Sequence, residues 1–242
     1  MAQAEVALVI GAGEATGGAI ARRFAREGFT VCVTRRTADK LKPLVERIEA
    51  DGGRARAFGS DARKEGQVVE LVQTIEREIG PIEVCVFNVG GNVRFPIREM
   101  TARVYTKVWE MAALAGFLVG REAAKVMVPR GRGTILYTGA TASLRGGKGF
   151  AAFAGAKHAL RALAQSMARE LGPEGIHVAH VVIDGAIDTP FIRETFPERY
   201  ALKGKAGILD PEAIAENYWL LHRQPRSAWT HELDLRPWME PF

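Results

Sequence analysis

The chain has 242 residues, 47% of them apolar and 25% charged, with a formal net charge of +5. These are ordinary values for one globular domain, and no apolar run reaches the ~18 residues that span a bilayer. The basic residues are interleaved with acids, as in REAAKVM and RELGPEG, which is the look of solvated helix faces. With no zinc-finger spacing and no RNA-binding aromatic motif, nucleic acid is not an expected partner, and neither is a membrane.

Residues 5–10 (EVALVI) form a short apolar run that ends in glycines. The N-terminus lacks a basic stretch before an apolar core, so no secretory signal is read there. Over 17–28, Ala19, Ile20, Phe24 and Ala25 recur at helical spacing, and Gly28 is a stop signal. A strand is expected at 30–34, a helix near 39–51 and a third strand at 54–60. Val68, Val69, Leu71, Val72, Ile75 and Ile79 predict a helix over 65–79. A strand at 84–88, a long helix over 102–127 and a strand at 134–138 follow. A helix over 151–171, a strand at 177–183 and a short last strand at 231–235 complete the series. Cys32 and Cys85 lie within VCV and VCVF and read as small buried hydrophobes; no disulfide framework or metal site is expected. A reducing, cytoplasmic location is the expectation.

Strands that are apolar throughout, separated by amphipathic helices, imply a parallel sheet covered on both faces. With right-handed crossovers this becomes a doubly wound α/β Rossmann fold: a mostly parallel sheet of about seven strands flanked by helices. No linker or repeat divides residues 1–242, so one domain is expected. Residues 185–210 are the least regular, with Pro190, Pro197, Gly204 and Gly207. They follow the sixth strand, where such sheets grip ligands, and are expected to form a lid.

The first strand runs into Gly11-Ala12-Gly13-Glu14-Ala15-Thr16-Gly17 and then a helix. A glycine turn at a helix N-terminus lets backbone N–H groups approach a phosphate, and the helix dipole favours the negative charge. The second strand ends in Thr34-Arg35-Arg36. A cofactor with a free 2′-hydroxyl would be met there by an acid, whereas a 2′-phosphate calls for arginine. Arg35 and Arg36 therefore favour NADP(H) over NAD(H); the alternative is that both are exposed loop residues.

With these motifs in this order, the chain resembles the short-chain dehydrogenase/reductase family over nearly its whole length. That family opens with TGxxxGxG; here the first threonine and the middle glycine are Ile10 and Ala15. The resemblance implies that Asp61 contacts the adenine and that Asn88 and Gly90, in Phe87-Asn88-Val89-Gly90, stand for the family's NNAG. Asp184-Gly185-Ala186-Ile187-Asp188-Thr189 stands for PGxxxT, with aspartate in place of proline. By that resemblance Ile187 offers backbone groups to the nicotinamide amide and Thr189 reaches a phosphate.

The family's catalytic tyrosine and lysine are spaced YxxxK on one helix. This chain has Phe153-Ala154-Gly155-Ala156-Lys157. The resemblance assigns Lys157 to the nicotinamide ribose and leaves Phe153 at the tyrosine position. Ala140 occupies the serine register thirteen residues upstream, and Ala113 the asparagine of the long helix. None of the three has a proton to give. Thr141 and Ser143 neighbour the lost serine, but hydroxyls of that kind are poor acids. Tyr105, Tyr137, Tyr200, His158 and Asp184 are substitutes by vicinity alone, and His158 is expected to face solvent or a partner. Lys157 could act directly if its pKa were lowered.

The expected function is an NADP(H)-preferring oxidoreductase with altered or weak chemistry. The alternative is a non-catalytic, cofactor-binding sensor or partner-binding protein. The resemblance also implies a homodimer or homotetramer. The tail from Trp229, with Trp238, Met239, Pro241 and Phe242, would either dock on its own domain or contact a second copy.

Overall fold

The computed structural model describes residues 5–241, so the first residues and Phe242, on which the N-terminal and tail expectations partly rest, lie outside it. Seven strands form one sheet: β1 (Val6–Ile10), β2 (Thr30–Arg35), β3 (Arg54–Gly59), β4 (Ile82–Phe87), β5 (Gly133–Thr138), β6 (Ile176–Ile183) and β7 (Glu232–Leu235). Their spatial order is β3-β2-β1-β4-β5-β6-β7, and every neighbouring pair is parallel. All residues of β1, β4 and β6 are buried, as the continuous apolar runs required.

The helices are α1 (Thr16–Arg26), α2 (Lys42–Ala50), α3 (Glu65–Glu78), α4 (Ala102–Trp109), α5 (Ala115–Met127), α6 (Ala151–Leu171), α7 (Pro190–Thr195), α8 (Pro197–Tyr200) and α9 (Pro211–His222). Alternation along the strands divides the core in two. Ala7, Val9, Val31, Val33, Val84 and Val86 pack with Ile20 and Phe24 of α1 and Ile214 and Tyr218 of α9. On the other face Leu8, Cys32, Cys85, Phe87 and Ile135 pack with Val72 and Ile75 of α3, Val119 of α5 and Leu160 of α6. Burial raises both thiols to about 12, so Cys32 and Cys85 stay protonated core residues.

Two elements differ from the sequence reading. The long helix over 102–127 is continuous, but Glu110–Leu114 is a π turn between α4 and α5. No proline or glycine lies in that stretch, so nothing local signals the wider turn. The second difference is α9, which the spacing analysis did not single out. It has a plain start signal: Asp210 accepts from the Glu212 N–H at 3.0 Å, and Pro211 occupies the first turn. Against α1 it sets Trp219 on Phe24, with ring centroids 5.5 Å apart, and Glu216 on Arg23 at 2.6 Å.

The chain runs outward from β1 in both directions, to β2 on one side and β4 on the other. The crevice at this reversal lies outside the carboxyl ends of the strands, where doubly wound sheets bind ligands. Residues 185–210 lie over that end as α7, α8 and a 3₁₀ turn at Ala201–Lys205. The tail folds back against them: Trp238 Nε1 donates to the Lys205 carbonyl at 3.0 Å, and Arg199 meets Glu240 at 3.2 Å.

Candidate active site

A cavity of about 740 Å³ opens at the switch point, within the range of small-molecule sites. One end is the turn after β1. Gly11 has φ of +84°, and a β-carbon there would stand 2.7 Å from the Asn88 carbonyl oxygen. A β-carbon on Gly17 would meet the Gly11 carbonyl oxygen at 2.7 Å. Both positions are closed to side chains by backbone. Asn88 Nδ2 donates to the Gly11 carbonyl at 3.1 Å, so it ties the glycine turn to β4. Ala15, the residue before α1, gives no side-chain cap, and α1 has no acid in its first turn. Its first N–H groups are therefore available to an anion, which is what a pyrophosphate needs.

Lys157 forms the floor. It is 3% exposed, and its Nζ donates to the carbonyls of Thr138 at 2.8 Å and Val89 at 3.2 Å. An ammonium has three donors, so one is left for a ligand. Burial lowers the Lys157 pKa to about 8. One turn earlier on α6, the Phe153 ring lies beside it, with its centroid 5.9 Å from Nζ. Phe153 and Ala140 both line the cavity and bring no polar side-chain atom to it.

Of the residues singled out from sequence, Gly11, Gly13, Ala15, Thr16, Gly17, Asn88, Gly90, Ala140, Phe153, Lys157, Ile187 and Thr189 converge on this one cavity. Arg35, Arg36, Asp61 and Ala113 are not among its lining residues. Arg35 ends β2 half-buried and Arg36 is exposed beside it. Asp61 is held by Arg63 through contacts of 2.9 and 2.6 Å, and that guanidinium lowers its pKa. Ala113 is buried within the π turn.

The substitute acids also separate. Tyr137 is fully buried and donates to the Gly116 carbonyl at 3.2 Å; burial raises its pKa well above the usual value. His158 is exposed, its Nδ1 2.8 Å from the Ala154 carbonyl oxygen. Tyr105 and Tyr200 are also absent from the lining. Thr141 does line the cavity, and its hydroxyl donates to Asp184. Ser143 is fully buried, with Oγ accepting from the Ala140 N–H at 3.1 Å.

Several lining residues escaped the sequence reading, namely Asn92, Thr138, Arg145, Phe150 and Glu240, while Ile192, Phe196 and Arg199 belong to the segment over 185–210 expected as a lid. The position of Thr138 at the carboxyl end of β5 could have flagged it. Arg199 and Glu240 come from segments 41 residues apart along the chain and are brought together only by folding.

A crevice at the switch point, an open glycine turn and a buried lysine on the helix after β5 define the class: an oxidoreductase built on a Rossmann-like domain. Residues 5–199 match the family model described as short chain dehydrogenase, and the chain belongs to that family. A short-chain dehydrogenase from Rhodopseudomonas palustris is 52% identical, with a TM-score of 0.83 over 97% of this chain and 99% of that one. A variant of actinorhodin polyketide ketoreductase, solved with NADPH, is 25% identical, with a TM-score of 0.90 over the full length of both. Gluconate 5-dehydrogenase of Gluconobacter oxydans is 28% identical over 92% of this chain and 81% of its own.

Proposed function

We propose that the chain is an NADP(H)-preferring oxidoreductase of the short-chain dehydrogenase type in which the usual serine and tyrosine proton relay is missing. One observation carries this reading. Lys157 stands in the cavity with its third donor free, while Phe153 and Ala140, at the two relay positions, present only carbon. General acid–base catalysis contributes ~10²–10⁴-fold to such reactions, so reduction of an unactivated ketone is expected to be slow by that order.

The residues present fit the cofactor. The uncapped N-terminus of α1 and the Gly11–Gly17 turn would take the pyrophosphate, with Gly13 open to it: a β-carbon there would meet nothing within 4 Å. Arg35 and Arg36 would hold the 2′-phosphate, Asp61 would face the adenine, and Asn88 and Gly90 would flank the nicotinamide side. Lys157 would hold the nicotinamide ribose, and Ile187 and Thr189 the carboxamide and a phosphate. The bound nicotinamide supplies or accepts the hydride. The chain's own part is to orient the ring, to exclude water through the lid over 185–210, and to place Lys157 against the sugar hydroxyls. The actinorhodin ketoreductase structure with NADPH supports this cofactor. The two buried, protonated thiols suit a reducing cytoplasm.

Calorimetry tests the reading. NADPH is expected to bind at least tenfold more tightly than NADH, the worth of one charge-assisted contact to phosphate. Arg35→Ala should narrow the gap by weakening NADPH alone. Equal affinities in the unaltered protein would refute the preference, and the absence of binding by either would refute the function.

A further inference from the structure

Thr141 is a hydroxyl on the cavity wall, one residue beyond Ala140, and its proton is already committed. It donates to Oδ1 of Asp184, whose side chain is fully buried. The opposite oxygen, Oδ2, faces two guanidinium groups, Arg145 at 3.3 Å and Arg236 at 3.1 Å. The cations thus engage one carboxylate oxygen and leave the other to take the threonine proton. A carboxylate in that setting accepts and has nothing to donate. With its single hydrogen on Asp184, Thr141 turns lone pairs toward the cavity. Thr138, another lining residue, has its hydroxyl paired with that of Tyr218 at 2.7 Å.

We infer that Thr141, fixed by Asp184, is a specificity-determining acceptor: the substrate group it meets donates a hydrogen bond, so the site selects an alcohol O–H over the corresponding carbonyl. The inference rests on the cavity being the substrate site of the reading above. Its physical basis is an asymmetry. A carbonyl placed against Thr141 finds lone pairs facing lone pairs, and breaking the Thr141–Asp184 bond to supply a donor would leave a buried carboxylate oxygen unpaired. A carbinol placed there completes the chain O–H to Thr141 to Asp184 without rearrangement. The loss of donors at Ala140 and Phe153 points the same way, because neither position offers a hydrogen to a carbonyl oxygen.

The probes are 2-phenyl-2-propanol, a tertiary alcohol that cannot be oxidised, and acetophenone, its donor-free carbonyl counterpart. Dissociation constants are measured by ligand-observed NMR on the protein with and without NADP+. The alcohol is expected to bind about tenfold more tightly, the worth of one hydrogen bond to a charge-backed acceptor. Thr141→Val should abolish the preference while Thr141→Ser keeps it. Equal or tighter binding of acetophenone, binding of neither probe, or a preference that survives Thr141→Val overturns the inference. Failure of NADP+ to bind removes the cofactor reading instead, and the two probes on the free chain still decide this one.

Discussion

Phe153 differs from a tyrosine by one oxygen, and Ala140 from a serine by another. Both side chains are partly or wholly enclosed in the cavity wall, with Phe153 8% exposed. Swaps that nearly conserve volume are tolerated, so each position can take its hydroxyl without disturbing the fold. Lys157 is already within 5.9 Å of the Phe153 ring centroid, close enough for its charge to favour a phenolate. Ala140→Ser combined with Phe153→Tyr is therefore expected to raise NADPH-dependent reduction of acetophenone by at least ~10²-fold over the unaltered chain. NADPH oxidation is the readout. A double variant that binds NADPH and remains inert would show that the missing hydroxyls do not limit the reaction, and would turn attention to Ala15 or Ala113. That Phe153 and Lys157 lie together was legible in the sequence, because an i,i+4 spacing puts two side chains on one helix face whatever the surrounding structure. The engagement of Asp184 was not. Its two arginines come from the loop after β5 and from the segment after β7, and no local pattern links them.

At the scale of elements, the strands follow from composition and α9 does not. Helix α9 closes one face of the sheet against α1. The contact is aromatic: Phe24 lies edge-on to Phe29 at 5.5 Å and to Trp219 at 5.5 Å, with His222 alongside at 5.8 Å. Phe24 is fully buried. Phe24→Ala is expected to cost about 3–5 kcal/mol, as for other buried aromatics truncated in a core. In urea unfolding this should appear as a lower midpoint at unchanged slope. A loss under 1 kcal/mol would mean that α9 contributes little to holding α1. The π turn at Glu110–Leu114 belongs to this scale too. A wider turn costs hydrogen-bond geometry that only tertiary packing can repay, which is why spacing alone read one uninterrupted helix there.

For the molecule as a whole, His177 and His180 are buried, His222 is half-buried, and all three are held toward the neutral form. Burial lowers His180 and His222 to about 4 and pushes His177 down in the same direction. Unfolding returns each to an ordinary value near ~6.5. Between these limits the unfolded chain binds more protons than the folded one, so stability is complete above pH ~6.5 and falls as the pH drops toward 4. Each group that differs fully contributes a slope of about 1.4 kcal/mol per pH unit. The melting temperature is expected to fall steeply over that window, and His222→Gln should flatten the fall. A melting temperature constant from pH 7 to 4.5 would contradict the neutral burial of these rings. The carboxylates paired on the surface, such as Glu212 with Arg22, also have lowered pKa values, and the stability they contribute is lost only as the pH falls below their ordinary value of 4.5.

The amino-acid sequence by itself determined the parallel sheet, the glycine turn and the pairing of Phe153 with Lys157 on one helix face. All of these are written in neighbouring residues: alternating apolar runs, glycines packed against backbone, and an i,i+4 pair on one helix. Tertiary structure alone decided what surrounds them. The burial of Asp184 between two arginines and the meeting of Arg199 with Glu240 at the cavity arise from segments far apart in the chain. So do the wider turn in the long helix and the docking of α9 on α1. Such contacts depend on where the sheet order places each strand end and on which charges packing shuts away from water, and neither is set by local pattern.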